Sequence, residues 1–482
     1  MILSALAIQL LALSLCAHAR PSRHAHTALS KPTKPDPSLT FSVSINGKMY
    51  VNKVSSVFIG IGLVGFGFIP SNATESTGAL CEQAKDDLIM LMDAGFVGDT
   101  IGGIGSAIAL SSFSKSLDGS YSGTLIVQPD RGFNVDGTVN YQGRHHSVDF
   151  VFSPYYDTAP LSFTDAQQTL RLTYRDTTLY FERKDVNTTG LDATGVRQAQ
   201  SGFPQQATAD PPMPISSQMD DRLTLDLEGL VLNSDGSFWA SDEYGPYIYR
   251  FTENGQLLQT IQPPGAILPF TDGDLNFSSE NNPDTGRAGN QGRLGFSLTT
   301  GHQLFTHSIS PTGFEGLSVD SSGDTLYALL QSATIQDGGN KKSHSRNTRL
   351  LAYDISGPSV DRPALIGEWV VSLPQDSDGK TLAASELHFV SPGVFLVLAR
   401  DGGGHGGNGN ESAYKQADLI DISNATDIHG TEYDDPLNPI AKKGVLDSSI
   451  TPATYVGFVS FINGTQLARF GLHNGECISQ AR

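Results

Sequence analysis

The sequence predicts an all-β chain folded like a β-propeller, and three observations carry that expectation. Short runs rich in β-branched and aromatic residues follow one another through most of the chain, separated by turn signals. Composition agrees, because 51 glycines and 25 prolines among 482 residues supply turns while 38% hydrophobic residues supply a core. Finally, one unit recurs: a glutamate opens an apolar run, a tight turn follows, and a second run closes on polar residues. The openings are Glu228 in Leu227-Glu-Gly-Leu230, Glu315 in Phe314-Glu-Gly-Leu317 and Glu386 in Ser385-Glu-Leu-His388. The closings are Asp242-Glu243, Gln331-Ser332 and Arg400-Asp401, with Asn233-Ser-Asp-Gly236, Asp320-Ser-Ser-Gly323 and Ser391-Pro-Gly393 as the turns between. Two strands joined by such a turn bring the closing residues back beside the opening glutamate.

In chain order, residues 1–19 read as a secretory signal, apolar from Leu3 to Cys16 and ending in Ala17-His-Ala19. A leader with the first strands follows over 20–62, then one propeller domain over 63–475 and a tail over 476–482. The apolar segment Val57 to Ile69 is glycine-rich and too short to span a bilayer. A helix is expected at Cys81 to Ala94. Strands follow at Ile104 to Leu110, Gly123 to Gln128, Thr138 to Tyr141 and Ser147 to Phe152, with a further cluster in Thr169 to Glu182. Arg197 to Gln218 has the composition of a loop. The clearest blade is Leu227 to Leu232, Ser237 to Asp242, Tyr247 to Glu253 and Gln256 to Ile261, and similar sets start at Glu315 and Glu386. Long insertions interrupt the later sets. About five to seven blades are expected on the usual propeller pattern, with the last unit incomplete; a β-sandwich with long loops is the alternative.

A balance of 50 acidic against 31 basic residues gives a net charge of −19, which disfavours nucleic acid and anionic membrane surfaces as partners. A monomer acting on a small molecule, held directly or through cations, fits better. Six N-x-S/T sequons, at Asn72, Asn187, Asn276, Asn410, Asn424 and Asn463, agree with secretion. Loss of the leader leaves Cys81 and Cys477, which are a candidate disulfide or two free thiols.

Several blocks occur together in order. Gly102-Gly-Ile-Gly-Ser-Ala107 with Pro129-Asp-Arg-Gly132 precedes Leu227-Glu-Gly-Leu230 with Trp239-Ala-Ser-Asp-Glu-Tyr-Gly245, and then come Phe314-Glu-Gly-Leu317, Leu326-Tyr-Ala-Leu-Leu-Gln-Ser332, Ala384-Ser-Glu386 and Val397-Leu-Ala-Arg-Asp401. From about Leu63 to Gly475 the chain resembles the phytase-like family known for esterase-like activity of phytase, most of all its secreted fungal members. The resemblance implies a hydrolase. It also marks departures: 80–97 and 293–312 look like insertions, both cysteines lie in departing segments, and the family continues past Gly475 into a further strand unit.

In a propeller the openings and closings meet on one rim, so Glu228, Asp242, Glu243, Glu315, Glu386 and Asp401 are expected to converge, with Asp130 joining them. Carboxylates so placed repel one another unless a cation neutralises them, and Ca²⁺, which accepts many oxygen ligands in loose geometry, is the expected ion. Of these, Glu228, Asp242, Glu386 and Asp401 are the expected catalytic groups, each also a metal ligand. Arg131 and Arg400, each beside an acid, are expected to hold a substrate anion. Lys415 and the Lys341-Lys342 pair are weaker candidates for that role. The glycine-rich loop Asp401 to Gly409, with His405, is either an anion cradle or a surface loop. His145-His146 and Trp239 read as structural.

Absent motifs narrow the chemistry. There is no G-x-S-x-G, H-E-x-x-H, G-x-x-x-x-G-K-[ST], R-H-G-x-R-x-P or C-x5-R, so a phosphatase here must use metal and carboxylates. The leading expectation is a secreted, calcium-dependent hydrolase of a phosphate ester. The alternatives are a noncatalytic propeller that binds a cation, glycan or protein, and a metal-dependent lactonase or carboxylic esterase.

Overall fold

In a computed structural model the described residues are 41–52, 101, 104–131, 138–182, 185–200, 210–279, 282–290, 310–357, 362–403 and 411–474. Four antiparallel sheets of four strands, each running in chain order, dominate them. Blade 1 is Ile104–Lys115, Tyr121–Pro129, Arg144–Phe152 and Leu170–Leu179. Blade 2 is Leu227–Leu232, Phe238–Asp242, Ile248–Phe251 and Leu257–Ile261. Blade 3 comprises Phe314–Val319, Thr325–Leu330, Asn347–Asp354 and Ala364–Ser372. Ala383–Ser391, Val394–Arg400, Lys415–Asp421 and Thr454–Ser460 form blade 4. The first strands of successive blades pack on one another in the order 1, 2, 3, 4, which is the inner ring of a propeller-like arrangement.

Five to seven blades were too many for the described residues. Between blades 2 and 3 lie two-stranded pairings instead, Phe270–Thr271 with Asp274–Leu275 and Ala288–Asn290 with Ser310–Thr312, and a third, Ala441–Lys442 with Val445–Leu446, interrupts blade 4. Thr138 to Tyr141 makes no strand, because a Tyr141 N–H to Val139 O bond of 2.8 Å turns the chain there. The expected signal, the helix at 81–94, both cysteines, His405, Asn72, Asn410 and the tail at 476–482 lie outside the described residues. So do residues 293–309 of the second departing segment, whose last residues form the strand Ser310–Thr312.

The core lies between blades. Alternate side chains of a strand point to opposite faces, and in blade 2 both faces are covered, so Phe238 packs toward blade 1 and Trp239 toward blade 3. Tyr180, Phe238 and Phe251 stack there, with ring centroids 4.7 Å apart for Tyr180–Phe251 and 5.3 Å for Phe238–Phe251. The predicted turns carry the predicted backbone: Gly236, Gly323 and Gly393 adopt φ of +85°, +84° and +78°.

Two other glycines set how closely the blades approach. A Cβ on Gly229 would lie 2.4 Å from Leu317 Cβ and 2.8 Å from Glu315 O; one on Gly316 would lie 2.5 Å from Leu387 N and 2.8 Å from Glu386 C. The Glu-Gly pair therefore belongs to the joint between neighbouring inner strands. Side chains fasten the same joints, with Ser241 Oγ bridging Gly229 N and Glu315 O, and Ser318 Oγ accepting from Phe389 N at 2.8 Å.

Between the last blade and the first, the described chain makes the junction differently. After the short helix Gly464–Ala468, Arg469 donates to Asp157 O and Tyr155 O of blade 1's periphery at 2.9 and 2.7 Å, and its carbonyl accepts from Leu161 N. Phe470, fully buried, packs edge-on against Tyr155. Because backbone and Cβ atoms block a side chain at Gly316, Gly316→Ala is expected to lower unfolding free energy by about 1–3 kcal/mol, read from urea denaturation. Gly357→Ala, in open space, is the control and should move stability little.

Candidate metal centre

Each inner strand of blades 2 to 4 carries a β-bulge near its start. In blade 2 the register slips between Leu227 and Leu230, in blade 3 between Phe314 and Gly316, and in blade 4 between Ala384 and Glu386. A bulge re-aims the side chain it contains, and Glu228 and Glu315 sit in theirs, with Glu386 at the edge of the third. With Gly229 and Gly316 holding the strands close, the three glutamates form a row. Glu315 acts electrostatically on both Glu228 and Glu386, raising each.

Next to that row, Asp130, Asp226 and Glu228 bring one carboxylate oxygen each within 4.8 Å of one another, all three residues buried. Asp130 follows the second strand of blade 1 and Asp226 precedes the inner strand of blade 2. Asp226 escaped the sequence reading, although it lies two residues before Glu228 on the same side of an extended chain. On the other flank Gln331 Nε2 donates to Glu243 Oε1 at 2.9 Å and also to Glu315 Oε1.

Burial governs the electrostatics. It raises Glu228 well above the usual carboxyl range, reinforced by Glu315, Glu243, Asp226 and Asp130. Glu243 is also raised well above that range for the same first reason, with Glu315 and Asp226 adding to it and Arg131 and Arg287 opposing. Asp226 is raised by burial and drawn back by Arg131. Glu315 also rises through burial, moderated by Arg400 and Gln331. Glu386, partly open at its surface yet enclosed by protein, is pushed up to about 8 by burial against the opposing pull of backbone N–H bonds from Leu387 and Leu317. The donor set is thus all oxygen, rich in negative charge and short of positive charge, which suits a hard divalent cation.

Other expected residues stand elsewhere. Asp242, fully buried, accepts Asp226 N–H at 2.6 Å and Gly245 N–H at 3.0 Å, so its oxygens hold the turn into the strand. Asp401 accepts from Ser412 Oγ and from the amides of Gly403, Ala413 and Tyr414. Burial alone would raise it, but those bonds win and its carboxyl lies below the usual range. Arg131 is buried against Asp226 at 3.0 Å and lies over the Tyr244 ring, so it supports a carboxylate of the cluster rather than facing a ligand. Arg400 alone of the two expected arginines reaches the surface, 40% exposed, with its guanidinium 4.0 Å from Glu315 Oε1.

Arg287, missed in sequence, is fully buried and donates to Tyr244 O and Phe277 O, placing a cation behind Glu243. His145 and His146 are both buried, one bonded to Tyr180 OH and the other between Thr177 Oγ1 and Ile101 O. Burial drives them down to about 4 and about 3, so they are neutral core groups.

All-β blades meeting at their inner strands, with a buried carboxylate cluster at one end of the joints, define a β-propeller-like protein. The chain belongs to the phytase-like family described as esterase-like activity of phytase, whose model matches residues 113–463. An uncharacterized secreted protein of Arthroderma benhamiae is 36% identical over 447 residues, covering 86% of this chain and 78% of the relative. Solved structures align loosely. The periplasmic gluconolactonase of Pseudomonas aeruginosa covers 75% of this chain and 89% of its own at 14% identity and a TM-score of 0.19. The β-propeller domain of Cps50 (Swd1) from Myceliophteria thermophila covers 60% and 93% at 8% identity and 0.18. Strand pairing, not these alignments, carries the fold.

The carboxyl shifts make stability depend on pH. Glu386 goes from 4.5 unfolded to about 8 folded, so between those values the folded state binds the extra proton and loses stability as pH rises. Buried His145, His146 and His388 act oppositely, but only below their ordinary value of 6.5. In chelator, the melting temperature is therefore expected to fall from about pH 7 to about pH 8.5, and less so in Glu386→Gln. A flat wild-type profile in that window would exclude trapped protons in the cluster.

Proposed function

We propose that the protein is a hydrolase of phosphate esters whose Asp130, Asp226 and Glu228 hold a divalent cation, calcium by donor chemistry. The observation that carries this reading is the convergence of three buried carboxylate oxygens within 4.8 Å, flanked by Glu243 and Glu315. The protein is secreted, as its Arthroderma relative is described. Exposed Asn187, Asn424 and Asn463 suit glycan attachment, whereas the Asn276 side chain is partly buried and bonded to Thr271.

A cation at this cluster supplies charge to polarise a phosphoryl oxygen and to acidify bound water. The chain's own groups divide the remaining work. Asp130, Asp226 and Glu228 would hold the cation, and Arg131 orients Asp226. Glu315, fixed by Gln331 and next to Glu228, accepts a proton from the attacking water. Glu386, at about 8, is still protonated at neutral pH and donates to the departing oxygen. Arg400 contacts the ester anion from the open side.

Assays of the secreted protein on phosphate monoesters, lactones and carboxylic esters, with and without EDTA, test the reading. Chelator-sensitive turnover of the phosphate ester is expected, and preference for a lactone would reassign the substrate. No chelator-sensitive turnover on any of them would leave a noncatalytic, cation-binding propeller. Glu228→Gln is expected to cut turnover by roughly two orders of magnitude. At the same time it should raise the melting temperature of the chelated protein at about pH 8.5, since a buried charge is removed. Glu386→Gln should abolish the alkaline limb of the kcat profile near pH 8.

A further inference from the structure

Arg400 ends the second strand of blade 4 and Lys415 begins the third, and the two are direct partners in the antiparallel register. Directly opposed residues project from the same face, so two cations stand side by side, an arrangement that is unfavourable without a counter-charge. Arg400 is fixed by its Nε–H bond to Ser385 Oγ at 2.6 Å, and its Nη2 lies 4.0 Å from Glu315 Oε1. Lys415 is half-buried and forms no ion pair among the described residues. The nearest acid, Asp401, already accepts Ser412 Oγ and three backbone amides. Burial, and then the Arg400 charge, lower the Lys415 amine below its usual value, as expected of a cation without a partner.

Resting on the hydrolase reading above, we propose that Lys415 and Arg400 form a two-cation clamp for the phosphate dianion, with Lys415 selecting phosphate esters over uncharged esters. The clamp lies beside Glu315, so an anion held on it has its reacting end toward the carboxylate row. Arg131 cannot serve instead, because its guanidinium is buried against Asp226 and Tyr244. A guanidinium grips two oxygens in its plane while an ammonium meets a third as a point charge, which matches a tetrahedral phosphate and has no counterpart in a neutral ester.

The test uses the full chain with Ca²⁺ and two readouts. Titration calorimetry with inorganic phosphate should show binding that weakens about tenfold in Lys415→Met and is recovered within about threefold in Lys415→Arg. With p-nitrophenyl phosphate, Lys415→Met should raise KM about tenfold while kcat changes far less. If Lys415→Met, folded by circular dichroism and melting, binds phosphate as wild type does, the clamp is wrong. Should that variant not fold, Arg400→Gln takes its place: weakened phosphate binding upholds the clamp, and binding equal to wild type overturns it. A wild type that binds phosphate through Lys415 but turns over no ester would uphold the clamp and overturn the hydrolase reading. A wild type that binds no phosphate would overturn the clamp, whatever its activity on neutral esters.

Discussion

The close approach of inner strands at Gly229 and Gly316 is the constraint on which the rest depends. At both joints the space a side chain would need holds backbone or Cβ atoms of the next blade. The contact that seals the blades therefore also sets the preceding residue, Glu228 or Glu315, against the next blade's glutamate. Packing and charge are opposed here, since the tighter the joint, the closer the carboxylates and the higher the cost of ionising them together. Protonation would resolve the conflict in part, since burial and neighbouring acids raise the carboxyl groups of Glu228 and Glu243 well above their usual range. A cation would resolve it more fully, and the two would compete for the same oxygens.

Adjacent acids divide into different tasks because a strand turns successive side chains in opposite directions. Asp242 faces the backbone and anchors Asp226 and Gly245, while Glu243, one residue on, faces Gln331 and the cluster. Gln331 occupies the position where blade 2 has an acid. An amide there donates to two carboxylates at once, whereas a third carboxylate would add a repelling charge and supply no proton. The position that breaks the repeat in sequence is thus the one that allows Glu243 and Glu315 to lie together.

Much of this was legible in the sequence, for local reasons. Hairpin turns announced themselves through Gly236, Gly323 and Gly393, and the strands through their alternation, so blades 2 to 4 and the row Glu228, Glu315, Glu386 follow from pattern alone. What stayed hidden depends on contacts between distant segments. Asp226 has no motif of its own and becomes a cluster member only because Asp130 of blade 1 is brought against it. Arg287 lies in the segment between blades 2 and 3, outside every strand and motif read from the sequence, and its burial follows from carbonyls of residues 244 and 277 that no pattern links to it. Asp401 misled for the converse reason: its position matched the repeat, but the chain after it returns to place three amides on its carboxylate.

Charge is layered from the interior outward. Arg131 and Arg287 are buried behind the acids, the acids lie between, and Arg400 with Lys415 stands on the open side. The inner arginines draw the carboxyl groups of Asp226 and Glu243 back toward ionisation. Arg400 and Lys415 are the pair proposed to meet an incoming anion. A chain with a net charge of −19 repels anions over most of its surface, so any anionic substrate needs a local reversal of sign to approach. If the substrate is anionic, the reversal that Arg400 and Lys415 provide beside Glu315 would give direction as well as attraction, drawing the anion toward the end of the propeller where the carboxylates are gathered.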